Sequence, residues 1–250
     1  MVIFSHYQPP MGVTGEQQSC TANAYFFDPS ASGGVSRAPT PAEGECRLFQ
    51  PGIDLQYPAQ TWLCVGALTV TAGGMGDQVS LCPGMMLGNV GSTGVSINMR
   101  GCPGFAAGTT VGVTSAMEIF GDVVTDLNLT VALPARPAFT APLRSNVGPW
   151  PASGDMDVRW DSAGATSVII TLEPRDVSAG AAPSIVCVPR QQGRVWVPDA
   201  LIAQSGLRTR ETRMRIDAFV DTASMPMVAT TQPYRLSAGF GTAVILQPNR

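Results

Sequence analysis

The residues able to do acid–base, nucleophilic or metal chemistry are few in this chain, and their spacing excludes more than it offers. All fifteen basic residues are Arg, so a Schiff-base lysine, a phosphate-loop lysine and a lysine general base are ruled out. A Ser-His-Asp or Cys-His centre needs a base that titrates near neutrality, and His6 is the single histidine. Six cysteines, Cys20, Cys46, Cys64, Cys82, Cys102 and Cys187, form no C-x-x-C pair, which speaks against a zinc site and for up to three disulfides made in an oxidising compartment. Spacing favours Cys20–Cys46 and Cys82–Cys102 as local loops, leaving Cys64 and Cys187 to bridge the halves or stay free.

The acids offer two weaker ideas. In "GDMDVRWDSAG" the residues Asp155, Asp157, Arg159 and Asp161 alternate with Met156, Val158 and Trp160, as on a strand with one wet face. The segment "TRETRMRID" repeats the pattern with Thr209, Glu211, Arg213, Arg215 and Asp217, so cross-strand ion pairs explain both rows. A calcium site from Asp155, Asp157 and Asp161 lacks the D-x-D-x-D-G loop. Glu118, Asp122, Asp126 and Glu173 are the available glycosidase-type carboxylates, each at a strand end or turn where solvated acids are common. No catalytic residue, metal ligand or cofactor site is assigned. Among four tryptophans, Trp62, Trp160 and Trp196 sit among apolar residues as core anchors, while Trp150 in "GPWPASG" is the one placed in a loop, where it reads first as a packed anchor and second as a ring for ligand stacking.

The elements that must position these residues are strands. Charged residues make up 13% of 250, about half the usual share, and 27 Gly with 21 Pro punctuate the chain at short intervals. Strand patterns recur in "CTANAYFF", "GALTVTAGG", "DQVSLCPG", "VSINMRGCPG", "GTTVGVTSAMEIF" and "DLNLTVALP". "DPSASGGVSRAPTPAEGE" reads as a long loop, and the proline-rich "LPARPAFTAPL" as a stiff connection. Beyond it come "MDVRW", "TSVIITLEP", "SIVCVP", "GRVWVP", "TRMRIDAFVD" and "YRLSAGFGTAVIL", the strand count of an immunoglobulin-like or fibronectin-III-like sandwich. Pro198 to Ser205 is the one expected helix, stopped by Gly206. The expected architecture is therefore all-β: an extended tail (1–19), a first β domain (20–133) and a second sandwich (134–250).

The second half, with "DMDVRW", "TSVIITLEP", "SIVCVPRQQGRVWVPDALIAQ" and "RMRIDAFVD", resembles the C-terminal domain of uncharacterised secreted proteins and lipoproteins of myxobacteria and related bacteria. The first half, with "VGALTVTAG" and "CPGFAAGTTVGVTSA", is similar to their partner domain. The resemblance implies an envelope or extracellular place and two β domains, and implies no activity. The start "MVIFSHYQPP" has neither the positive segment nor the apolar length of a signal peptide, and no stretch is apolar enough to span a membrane as a helix.

With net charge −3 and no basic track, nucleic acid is excluded as a partner. The partners that fit are protein, copies of the same chain included, or a surface glycan. Val2, Ile3, Phe4 and Tyr7 would suit a strand that adds to the open edge of a neighbouring sheet. The expected function is that of a secreted or cell-surface structural, adhesive or assembly protein without chemistry of its own. A carbohydrate-binding module is the alternative, and a carboxylate-dependent glycoside hydrolase the third.

Overall fold

The computed structural model describes residues 2–9, 13, 18–24, 41–50, 67–80, 95–98, 104–119, 122–143, 145–176, 182–190, 193–224 and 234–248. In chain order the strands are β1 (Val2–Gln8), β2 (Ser19–Ala24), β3 (Glu45–Phe49), β4 (Ala67–Ala72), β5 (Met75–Ser80), β6 (Val95–Asn98), β7 (Thr110–Ile119) and β8 (Asp122–Ala132). They continue as β9 (Ala138–Ala141), β10 (Val147–Pro149), β11 (Met156–Asp161), β12 (Ser167–Pro174), β13 (Ser184–Val188), β14 (Arg194–Val197), β15 (Thr212–Ser224) and β16 (Tyr234–Gln247). The all-β class follows directly. The single α-helix among the described residues, α1 (Asp199–Ser205), starts after Pro198 and stops at Gly206, whose φ of 69° ends it in the left-handed region.

Three sheets are built from these strands. The largest runs β3-β13-β12-β15-β16-β1-β2-β6, with β10 beside β16; the others run β14-β11-β9 and β5-β4-β7-β8. β15 pairs with β16 along its whole length, from Thr212↔Leu246 to Ser224↔Tyr234. The other edge of β16 is shared by β1, parallel against Leu236–Thr242, and β10, parallel against Ile245–Gln247. The large sheet thus takes strands from both sides of residue 133, and the segment expected to be an extended tail contains one of its inner strands.

Alternation places the core. Val168, Ile170 and Leu172 of β12, Ile185 and Cys187 of β13, Met214 and Ile216 of β15 and Val244 and Leu246 of β16 share one buried face. Facing it are Met156, Val158 and Trp160 of β11, Val195 and Val197 of β14, and Ile202 of α1. This is a two-layer arrangement in which each strand contributes every second side chain. Fully burying a side chain of this size is worth roughly 1.5–3 kcal/mol, so the cluster is the main source of stability in this half. In the four-stranded sheet, Val70, Ala72, Val111, Val113, Leu129 and Val131 form the buried face, and β8 lies against β15 and β16. Its β4–β5 hairpin closes through Gly73-Gly74, both at positive φ (57° and 82°), as a two-residue turn between paired Ala72 and Met75 requires.

The disulfide found here is Cys46–Cys187, which corrects the expected Cys20–Cys46 loop. The cause is register: β3 pairs antiparallel with β13, setting Cys46 directly opposite Cys187. Sequence distance misled because the two cysteines are 141 residues apart yet neighbours across one ladder. Cys20 is also disulfide-bonded. Cys64, Cys82 and Cys102 lie outside the described residues, as does Trp62.

Candidate functional site

β1 is the element around which the sequence candidates gather. Its alternation puts Phe4 and His6 on one face and Ser5 and Tyr7 on the other, and the strand is held on both edges. Phe4 stands opposite Ala238 of β16 and Ala22 of β2; His6 stands opposite Phe240 and Cys20. Phe4, Ser5, His6 and Tyr7 are all buried. Of the four assembly candidates, Phe4 and Tyr7 are therefore packed in their own sheet, while the side chains of Val2 and Ile3 lie outside the described residues.

On the first face, His6 meets the rings of Phe105 and Phe240 at centroid distances of 5.5 and 5.1 Å, and Phe4 meets Phe105 edge-on at 6.0 Å. The Arg136 guanidinium covers Phe240 at 5.3 Å. Gln18 donates from its amide to His6 Nε2 at 3.0 Å, which puts the imidazole proton on Nδ1, an atom with no partner among the described residues. Burial first, and the nearby Arg136 charge second, hold the His6 pKa down at about 4. The only imidazole is thus neutral at physiological pH and sealed by aromatic rings.

A pH dependence follows. The unfolded chain takes up a proton on His6 as pH falls through about 6.5, the folded chain only near 4. Stability from this residue is therefore complete above pH 6.5 and is lost as pH falls towards 4, by about 3 kcal/mol. Denaturant titrations at pH 7.5 and 4.5 should show this loss in the native chain. A His6→Phe variant should show less of it, the difference isolating the imidazole from the carboxylates.

The second face of β1 is polar. Arg215 of β15 donates from Nε and Nη2 to Asp217 Oδ1 at 2.9 and 2.6 Å, reaches Ser5 Oγ at 3.4 Å, and lies 4.7 Å over the Tyr7 ring. Gly241 of β16 makes this possible, because a Cβ there would collide with Asp217 Oδ1 and crowd Tyr7. Burial pushes the Asp217 carboxyl up, Arg215 opposes that, and Glu173 adds to it. Along the same row Glu173 accepts from Arg213 Nε at 2.9 Å, and Arg175 pairs with Glu211. Asp221 accepts from Ser167 (2.9 Å), Thr166 (3.1 Å) and Ser237 (2.5 Å), tying β12, β15 and β16 together. Glu173–Arg213 is a cross-strand pair as expected, whereas Arg215 and Asp217 pair within β15 and help seat β1, and the β11 row lies in a different sheet, where Asp157 pairs across to Arg194.

The remaining candidates are dispersed. Asp157 is bound by Arg159 and Arg194, and Asp155 accepts from the Asp199 amide at 2.8 Å. No group of three or more metal-binding side chains occurs among the described residues. Glu118, Asp122 and Asp126 lie on β7 and β8, but their side chains are outside the described residues. Trp150 is the packed anchor that its loop position favoured over ligand stacking: it is only 2% exposed and belongs to the core, its amide bonded to the Gln247 carbonyl at 2.9 Å. Trp196, placed in the core from its apolar neighbours, is 50% exposed instead. β14 is a four-residue strand with an exposed-buried alternation, so Val195 and Val197 take the core positions and turn Trp196 outward. The alternation in "RVWV" carried that signal; hydrophobicity alone hid it. No protein-family model matches the chain, and no curated protein matches it.

Proposed function

We propose that this chain is a secreted or cell-surface protein that works through its surfaces as a structural, adhesive or assembly component, and that copies assemble by exchanging β1. The observation that carries the reading is the seat of β1. It is an inner strand of the large sheet, paired with β16 on one edge and β2 on the other. The connection from Gln8 to Gln18 is long for a hairpin and contains Pro9, Pro10, Gly12 and Gly15. A β1 arriving from another copy finds the same ladders and the same aromatic seat, so exchange keeps these contacts and costs mainly the ordering of the hinge and the encounter. Passing β1 from each copy to the next makes a head-to-tail contact, which closes into a ring or grows.

Three further features support the proposal. The neutral, enclosed His6 is out of reach of a substrate and packs as part of the seat of β1. The Cys46–Cys187 disulfide suits an oxidising compartment, and no described helix is long and apolar enough to cross a membrane. The layering of β12, β13, β15 and β16 on β9, β11 and β14 supports an immunoglobulin-like sandwich for 134–250.

Light scattering on the full chain tests the assembly. Mass should rise with concentration, and a chain lacking residues 1–9, which can accept β1 but not donate it, should shorten the assemblies in proportion to the amount added. A constant monomer mass at every concentration of the full chain contradicts the proposal, whatever the shortened chain does.

A further inference from the structure

We propose that Asn128 of β8 is the acceptor of an N-linked saccharide, attached as the chain is exported. The inference rests on the secreted reading above for its compartment and owes nothing to the exchange of β1. Of the six asparagines in the chain, one is followed two residues later by Ser or Thr, in Asn128-Leu129-Thr130. The intervening residue is Leu, where Pro would block the acceptor pattern. Asp126 lies two residues before Asn128, so the segment reads D-x-N-x-T. While the chain is still unfolded, that anion gives a cationic side chain of a transferase something to grip. The Cys46–Cys187 disulfide fits the same export route, since such bonds persist in oxidising compartments.

The folded strand presents the modified residue outward. β8 ends the β5-β4-β7-β8 sheet. Its alternation buries Leu129 and Val131 and leaves Asn128 and Thr130 exposed on the other face. A saccharide on Asn128 Nδ2 therefore displaces no core side chain. Asn is depleted in strands, so its place inside the eleven-residue β8 has no explanation in backbone preference.

The neighbouring strands supply a surface on which a sugar can lie. Asn128 stands directly opposite Thr114 of β7, which stands opposite Thr69 of β4. Strand spacing puts these two residues about 5 and 10 Å from the acceptor. In the adjoining row Gly112 lies between Thr71 and Thr130 and adds no side chain, which keeps that row low. Thr71 donates its hydroxyl to the Gly112 carbonyl at 3.4 Å. Thr71, Thr114 and Thr130 are exposed, and Thr69 is half-buried. This patch is uncharged, so its hydroxyls can bond sugar hydroxyls without competing against an ion pair.

The bond formed joins Asn128 Nδ2 to the anomeric carbon of a saccharide carried as its polyprenyl diphosphate. The bond from that carbon to the diphosphate oxygen breaks, and the diphosphate leaves with the electron pair. The amide gives one proton to a base of the transferase. Nothing is oxidised or reduced.

The test is mass spectrometry of the peptide containing Asn128, from the full chain isolated out of the cells that make it, together with the location of the chain in those cells. The expected result is a chain outside the cytoplasm with a saccharide on Asn128, read from sugar fragment ions. Asn128→Gln should abolish the modification. Thr130→Ala should lower its occupancy at least about tenfold while Thr130→Ser retains it, because the pattern accepts either hydroxyl. All three variants should fold, since both side chains are exposed. A chain outside the cytoplasm with Asn128 unmodified overturns the acceptor and leaves the secreted reading in place. A chain confined to the cytoplasm overturns both. Unchanged occupancy in Thr130→Ala also overturns the inference, because attachment would then not follow the Asn-Leu-Thr pattern.

Discussion

A chain lacking residues 1–9 should lose at least about 4 kcal/mol of stability, and a peptide of residues 2–9 added in trans should restore most of it. Removing Phe4 alone deletes a fully buried aromatic side chain, a change that costs about 3–5 kcal/mol in other cores. The excision also takes away His6 and Tyr7 and leaves facing edges of β16 and β2 without their ladders. Arg215 loses the Tyr7 ring and Ser5, although Asp217 remains to pair with it. The core of β11, β12, β13 and β15 contains no β1 residue, so it should unfold separately, and the single transition of the full chain should split in two. Denaturant unfolding followed by far-ultraviolet circular dichroism reads both transitions, and tryptophan fluorescence identifies the one that belongs to the core of Trp150 and Trp160. Saturating peptide stabilises only through the restored seat, by an amount that grows with the logarithm of its concentration. An unchanged midpoint in the shortened chain would mean that β1 contributes nothing to the sheet.

Gly239→Ala should be nearly as damaging although it adds one methyl group. Gly239 lies in β16 between Phe219 of β15 and Ser5 of β1. A Cβ at this position would run into the Ala218 carbonyl oxygen and the Phe219 ring, and the oxygen belongs to backbone that cannot turn aside. The strands must separate locally, which places the cost at the upper end for overpacking, about 3 kcal/mol. Gly104→Ala is the control: no atom lies within 4 Å of the added carbon, so its effect should stay within about 0.5 kcal/mol. Thermal unfolding of the two variants side by side checks the contrast. Equal midpoints would show that β15 and β16 are not packed at this spacing.

Much of the fold is legible in period-two patterns and turn residues. "MDVRW", "TSVIITLEP", "SIVCVP" and "TRMRIDAFVD" coincide with β11, β12, β13 and β15 because each buries every second side chain in one core. The helix was readable from Pro198 and Gly206, whose backbone preferences are local. The missed strands depend on partners far away in the sequence. β3 is "ECRLF", with Glu45 and Arg47 exposed at the sheet edge, and only its register with β13 reveals it. β9 lies between prolines and is held by Arg159 and Asp161 of β11. β1 reads as a strand, but sequence shows no destination for it. Its seat is made by Gly239 and Gly241 of β16, more than 200 residues away, where the missing Cβ atoms let neighbouring strands and the Tyr7–Arg215–Asp217 group approach. The tryptophans failed for a related reason: hydrophobicity ranks Trp196 with Trp160, whereas strand parity separates them.

Amide hydrogen exchange on residues 3–8 of the full chain tests most directly whether β1 is an inner strand of the sheet. Protection matching that at the centre of β16, over Ala238–Thr242, is the predicted result. Exchange at the rate of an unstructured peptide would contradict it, and with it the assembly built on that seat.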